Sequence, residues 1–181
     1  MAQEGISPVP KLITLNHPDQ VSQQAREYVR TYILMPSGML GLVCLLGTVG
    51  GLGYQLMASD DYTWTTFYYS SGLLLLGIIL GTGQTSYHRY LFREFPHVFA
   101  ARMKLATGKQ NTKTKRAMAD DIIDHAGRSL IPMVYLAGIA ILVSASAMAI
   151  VYGQVEPFPA FLTPWAGFYW AKLFLWRRVI L

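Results

Sequence analysis

Hydrophobic residues occupy four long stretches of the chain, at residues 32–56, 62–87, 130–152 and 158–176. The first three stretches contain no charged residue, and the fourth contains one, Lys172. The hydrocarbon core of a bilayer is about 30 Å thick, and an α-helix needs about 20 apolar residues to cross it. The pattern therefore predicts an all-α integral membrane protein with four transmembrane helices.

The fourth stretch is the least regular one. Pro159 and Pro164 interrupt its first half, and Lys172 lies near its end. A lysine at that position can extend its ammonium group to the lipid headgroups, and Arg177 and Arg178 follow as a stop signal. We expect this segment to cross the membrane, with an interfacial or re-entrant helix as the alternative.

The segment before the first stretch, residues 1–31, combines an extended arm with an amphipathic helix. Asn16, Pro18 and Asp19 indicate the helix start, because they supply a capping side chain, a proline in the first turn and an acid near the positive end of the helix dipole. Apolar side chains then recur at three- and four-residue spacing, which places them on one face. These are Val21, Ala25, Tyr28, Val29 and Tyr32. We expect this helix to lie at the membrane surface, with a kink at Pro36 where the chain turns inward.

Lysine and arginine residues are distributed unevenly along the chain. Nine of the fifteen fall within residues 88–129, and the others lie in the N-terminal segment or near the C-terminal end. The turns at 57–63 and 153–157 contain none. Since basic residues favour the cytoplasmic side, both termini are predicted to lie inside, together with a basic loop of short helices at residues 93–129.

Composition excludes several classes of protein. Apolar residues make up 52% of the chain and charged residues 14%, whereas charged residues are about a quarter of an ordinary soluble domain. The net charge of +5 comes without a nucleic-acid-binding module, so we expect the basic loop to contact anionic phospholipids and not nucleic acid. Cys44 is the only cysteine, which excludes an internal disulfide framework and a c-type haem attachment motif.

Small residues recur at four-residue spacing in three of the predicted spans. In lipid, such positions allow two helix backbones to approach closely, and packing and weak polar contacts then hold the helices together. We expect these residues to form helix contacts, either within the chain or with another chain. The pairs are Gly47 with Gly51, Gly77 with Gly81, and Ala140 with Ser144.

One acidic cluster lies within the basic loop. It consists of Asp120, Asp121, Asp124 and His125. On a helix these side chains would fall on shared faces and could converge on a divalent metal, which would suit a small membrane-embedded metal-dependent enzyme. The simpler interpretation is that the acids balance the cations at 113–116 on a solvated helix. Because no second acidic motif completes a site, we predict no metal site and no catalytic activity.

His88 is the one histidine placed to reach a cofactor near the inner edge of a span, the second one. A histidine-ligated pigment in a membrane normally needs an imidazole at membrane depth, so His88 is the candidate for binding a pigment or a quinone. The spans contain no carboxylate, and intramembrane carboxylates are typical of transporters and proton pumps. Transport by this chain alone is therefore not expected.

These patterns favour a non-catalytic accessory subunit of a larger membrane complex, of the energy-converting kind (respiratory or photosynthetic). Its partners would be other integral membrane subunits, its ligands bound lipids, and its intrinsic cofactors none. A bacterial inner or photosynthetic membrane is preferred over a mitochondrial inner membrane. Two alternatives stay open, namely the metal-dependent enzyme and a subunit associated with a pigment or a quinone.

Overall fold

The computed structural model describes residues 18–59, 61–107 and 131–180, and the regular structure within these ranges is helical throughout. The predicted arm, the helix start at Asn16 and most of the predicted basic loop lie outside the described residues. The α-helices are α1 (Pro18–Tyr28), α2 (Met35–Met57), α3 (Trp64–Glu94), α4 (Pro96–Thr107), α5 (Ile131–Gly153) and α6 (Pro157–Ile180).

Within the described residues, three helices are long and apolar enough to cross a membrane: Val21–Met57, Trp64–Glu94 and Ile131–Gly153. They cover all of the first predicted stretch and nearly all of the second and third. The fourth stretch is a continuous helix, α6, but it is not one of the three. Its prolines, its tryptophans and Lys172 lower its hydrophobicity.

A π-helical segment, Val29–Leu34, joins α1 to α2 without a break. The N–H of Met35 donates to the carbonyl of Arg30, five residues earlier. Pro36 has no N–H, and its ring would collide with the carbonyl of Tyr32 in a regular α-helix. A wider turn before the proline relieves that collision, since π-helical turns contain an extra residue. We predicted a kink at Pro36, and the structure has a π-helical segment that ends two residues before it.

The helix α3 begins at a reciprocal cap. The N–H of Thr66 donates to the side-chain oxygen of Thr63, and the N–H of Thr63 donates to the side-chain oxygen of Thr66, both at 3.3 Å. This capping box satisfies two backbone donors at the helix start. At its other end α3 continues to Glu94, beyond the predicted span end at residue 87, because a helix with polar residues can extend past the apolar segment.

The helix α6 occupies the centre of the bundle, between α2 and α3. It runs antiparallel to α2: Gly51 of α2 lies against Pro159, and Gly41 lies against Tyr169. It runs parallel to α3, whose Gly77 lies against the backbone of Pro164. The helix α5 packs on α3 and touches α6 less extensively, so it lies at the edge of the bundle.

The helices α1 and α4 pack together across the end of the bundle where α6 terminates. Ala25 and Val29 of the predicted apolar stripe are fully buried there, with Phe99 of α4 and Trp176 of α6. The ring of Phe92 meets those of Phe99 and Trp176 edge to face, at centroid distances of 5.6 and 5.8 Å. This part of the stripe therefore contacts protein.

A single glutamine holds the turn between α5 and α6 at the opposite end of the bundle. The buried side chain of Gln55 donates from Nε2 to the carbonyl of Gln154 at 2.5 Å, and its Oε1 accepts from the N–H of Glu156 at 3.4 Å. Gln154 has a positive φ of 52°, which is uncommon for a residue other than glycine. The two hydrogen bonds tie this turn to the end of α2.

Candidate functional site

A cavity of about 530 Å³ lies between α3, α5 and α6. At one end of α5 the packing on α3 is close, since Gly153 lies against the ring of Tyr69 and an added Cβ would lie 2.5 Å from that ring. Towards the other end, Gly83 of α3 and Gly138 of α5 face open space, and contact is made by the long Tyr135 side chain of α5, which reaches His88 of α3. The result is a partly open, mostly apolar pocket whose size is typical of small-molecule sites.

The walls of the cavity differ in chemistry. Leucine, isoleucine and valine side chains of α3 and α5 provide most of its surface. The rings of Trp165 and Phe168 provide the α6 wall, and they meet edge to face at a centroid distance of 5.9 Å. Polar groups come from Gln84, Tyr87 and Tyr135. The cavity is thus an apolar slot with aromatic rings on one side and neutral hydrogen-bonding groups at one end.

His88 lies behind this polar end. Its Nε2 shares a hydrogen bond of 2.9 Å with the hydroxyl of Tyr135, which lines the cavity, whereas His88 does not. The other ring nitrogen, Nδ1, is buried and has no hydrogen-bond partner among the described residues. With Nε2 engaged and Nδ1 enclosed, neither nitrogen faces the cavity as a metal ligand would. The geometry favours a role for His88 in orienting the Tyr135 hydroxyl.

The predicted packing glycines all lie against α6. A Cβ added to Gly77 would overlap the carbonyl of Pro164, and one added to Gly81 would lie 2.5 Å from the carbonyl oxygen of Phe168. On α2, Gly47 meets the Leu162 side chain, and Gly51 meets Pro159. One glycine of α6 also allows close approach to α3: Gly167 lies against the carbonyl of Leu74. This contact was not predicted from the sequence.

Ala140 and Ser144, the third predicted pair, are exposed. The side of α5 that packs within the chain carries instead Leu142, Ser146, Ala149 and Gly153. The sequence of α5 offers small residues on several faces, so spacing by itself does not tell which face meets the rest of the bundle.

The acidic cluster of Asp120, Asp121, Asp124 and His125 lies outside the described residues. Within residues 18–59, 61–107 and 131–180, no three His, Cys, Asp or Glu side chains gather as metal ligands would.

The cavity residues were only partly predictable from the sequence. His88 stood out by its position at the end of a span, but its partner Tyr135 lies 47 residues away in sequence, and no local motif links the two. Gln84 and Gly83 precede His88 by about one helical turn. Residues at that spacing lie near His88 on the helix surface, so they could have been predicted as neighbours of a site at His88.

No protein family, curated protein or solved structure matches this chain.

Proposed function

We propose that this chain is a four-span membrane protein, with both termini and the basic loop inside, and that it serves as a non-catalytic accessory subunit of a larger energy-converting membrane complex. The observation that carries the proposal is the exposed small-residue pair of α5, Ala140 and Ser144.

Ala140 and Ser144 lie on the outward side of α5. Successive residues of an α-helix turn by about 100°, so this pair is roughly opposite the buried positions Leu142, Ser146 and Ala149. Small outward-facing residues at four-residue spacing let a second helix approach closely in lipid. The predicted glycine pairs of α2 and α3 already lie against α6, so among the three predicted pairs only the one on α5 is left for a helix from another subunit.

The fourth crossing is supported by the length over which α6 follows α2. Contacts between them extend from Gly38 with Leu173 to Gly51 with Pro159. These thirteen residues of α2 correspond to about 20 Å along the helix axis, most of a hydrocarbon core of about 30 Å. Because α2 belongs to a helix apolar enough to cross, α6 follows it through the membrane, and its basic C-terminal end returns to the side of the basic loop.

The subunit role is tested in the native membrane. An affinity-tagged chain is solubilised in mild detergent and separated by native electrophoresis. We expect the wild type to migrate with other membrane subunits, well above the chain mass of 20.2 kDa. An A140L/S144L variant should migrate alone, because the larger side chains hold the partner helix away. The control V143L alters a neighbouring exposed position of α5 and should leave the complex intact. Migration of the wild type alone contradicts the proposal.

The topology is tested by thiol labelling. In a Cys44→Ser background, cysteines are introduced singly at Ser59, Lys113 and Arg177. An impermeant maleimide added to intact cells should label Ser59→Cys only, and the other two should react after the membrane is opened. Labelling of Arg177→Cys from outside would show that α6 does not cross.

A further inference from the structure

We propose that the cavity between α3, α5 and α6 binds a lipid-soluble quinone or quinol, with the ring at the polar end and the hydrocarbon tail leaving towards the bilayer. This inference rests on the membrane embedding in the proposed function, and it is independent of membership in a complex.

The polar end presents both donors and acceptors. The Oε1 atom of Gln84 is buried without a hydrogen-bond partner among the described residues, and its amide group can donate as well as accept. The Tyr135 hydroxyl shares one hydrogen bond with His88. When Tyr135 donates to His88 its lone pairs can accept from a quinol, and when it accepts from His88 its O–H can donate to a quinone carbonyl.

The charge of the lining helps to decide between a neutral quinone head group and a charged phospholipid head group. None of the described residues that line the cavity is charged. Lys172 of α6 lies nearby, with its Nζ 6.0 Å from the centre of the Phe168 ring, but it does not line the cavity. A phosphate inside the cavity would therefore lose its hydration without direct contact with a cation, which is costly. A neutral head with carbonyl or hydroxyl groups loses far less and gains hydrogen bonds from Gln84 and Tyr135. The lining therefore favours a quinone head over a phospholipid head.

The shape of the cavity fits a flat ring with a tail. Trp165 and Phe168 offer aromatic surfaces on α6, and aromatic groups pack well against other rings in offset or edge-to-face geometry. Gly83 and Gly138 widen the facing walls, since nothing lies within 4 Å of a Cβ added to either. The volume of about 530 Å³ falls in the range of about 300–1,000 Å³ found for small-molecule pockets.

Binding is tested with the full chain in phosphatidylcholine nanodiscs and with decylubiquinone as the probe. Trp165 lines the cavity, and quinones quench tryptophan fluorescence on contact. We expect quenching that saturates in the wild type. In G83L/G138L the added side chains start from positions where a Cβ has nothing within 4 Å and fill part of the cavity, so the saturable component should disappear. The matched control G50L places leucine on an exposed position of α2 that is equally open, and it should bind like the wild type.

Two further variants test the head-group contacts while keeping the cavity shape. Y135F removes one hydroxyl, and Q84L replaces the amide with an apolar group of similar size. Each should weaken decylubiquinone binding about three- to tenfold, the effect of one lost hydrogen bond. Circular dichroism and size-exclusion chromatography check that all variants fold like the wild type.

The alternative outcomes are distinct. Quenching that stays linear with quinone concentration, or equal affinity in G83L/G138L and G50L, overturns the proposal. So does mass spectrometry of the purified chain that finds phosphatidylglycerol retained by the wild type, lost in G83L/G138L and not displaced by decylubiquinone, because the occupant is then a phospholipid. Native electrophoresis tests the subunit role in a separate experiment. Failure of quinone binding can therefore be told apart from failure of the subunit role.

Discussion

The helices α5 and α6 invert the usual relation between hydrophobicity and burial. The helix α5 contains no charged residue and ranks among the three apolar enough to cross a membrane. The helix α6 contains three prolines, three tryptophans and Lys172, and does not rank among them. Yet α6 lies between α2 and α3, whereas α5 lies at the edge with most of its side chains exposed.

The contrast follows from what surrounds each helix. A polar group exposed to hydrocarbon has no hydrogen-bond partner and costs several kcal/mol, so a helix facing lipid must be apolar on its outer side. A helix surrounded by protein can carry polar groups that its neighbours or its own backbone satisfy. Thr163 of α6 is buried and donates to the carbonyl of Pro159 at 2.6 Å. Hydrophobicity along a chain of this kind therefore reports contact with lipid more than position in the core.

The strongest test of this comparison replaces Gly77 with leucine. A side chain at Gly77 overlaps the backbone of Pro164, and backbone cannot move aside as a side chain can. We expect the free energy of unfolding to fall by about 3 kcal/mol or more, measured by detergent-denaturant titration. Gly72→Leu is the matched control on the same helix, because nothing lies within 4 Å of a Cβ at Gly72. Equal stability of the two variants would mean that α6 does not pack as closely as described.

Trp176→Ala tests the packing of α6 near its C-terminal end. Trp176 is fully buried against Ala25, Val29 and Phe99, and removal of a buried aromatic side chain costs about 3 kcal/mol. We expect a lower melting temperature and faster proteolysis within α1 and α4. Phe174→Ala, at a position of α6 that is 55% exposed, serves as the control. If Trp176→Ala were as stable as this control, the contact of Trp176 with α1 and α4 would contribute little to stability.

Gln55→Leu tests the turn that joins the two compared helices. The variant keeps the side-chain volume but leaves the carbonyl of Gln154 and the N–H of Glu156 without the hydrogen bonds that Gln55 provides. We expect a loss of about 1–3 kcal/mol in the free energy of unfolding. Hydrogen exchange should increase most at residues 154–156. Exchange that rises uniformly along the chain would contradict a local role for this side chain.

The smallest effect is expected on the outward face of α5. Ser144→Leu changes an exposed position, and in the isolated chain its unfolding free energy should stay within about 0.5 kcal/mol of the wild type. The same measurement on Leu142→Ala, which removes a buried side chain of α5, should show about 2 kcal/mol of destabilisation or more. Reversed magnitudes would mean that α5 packs through its other face.

The fold class was predictable because an uncharged apolar stretch of about 20 residues matches the thickness of a bilayer and rarely occurs on a water-exposed helix. Three of the four predicted stretches correspond to helices capable of crossing a membrane among the described residues. The fourth crossing, the inside orientation of the termini and the role of the chain remain proposals.

Other features were not predictable because they depend on which helix faces meet. Four-residue spacing selected Gly47, Gly51, Gly77, Gly81, Ala140 and Ser144 alike, but only the glycines lie against another helix of the chain. The spacing of small residues permits close approach without specifying a partner. The contact between His88 and Tyr135 likewise joins residues that are distant in sequence.

The sequence by itself determined that the described part of the chain is helical and that it has long segments able to enter a membrane, because both properties follow from the composition and period of a single segment. Tertiary structure alone decided that the long helix outside the three candidate spans occupies the centre, that a cavity lies between α3, α5 and α6, and that His88 hydrogen-bonds to the Tyr135 hydroxyl. Each of these features depends on which face of one helix packs against which face of another. That choice is made only when all the helices are present, because each helix can pack against several others.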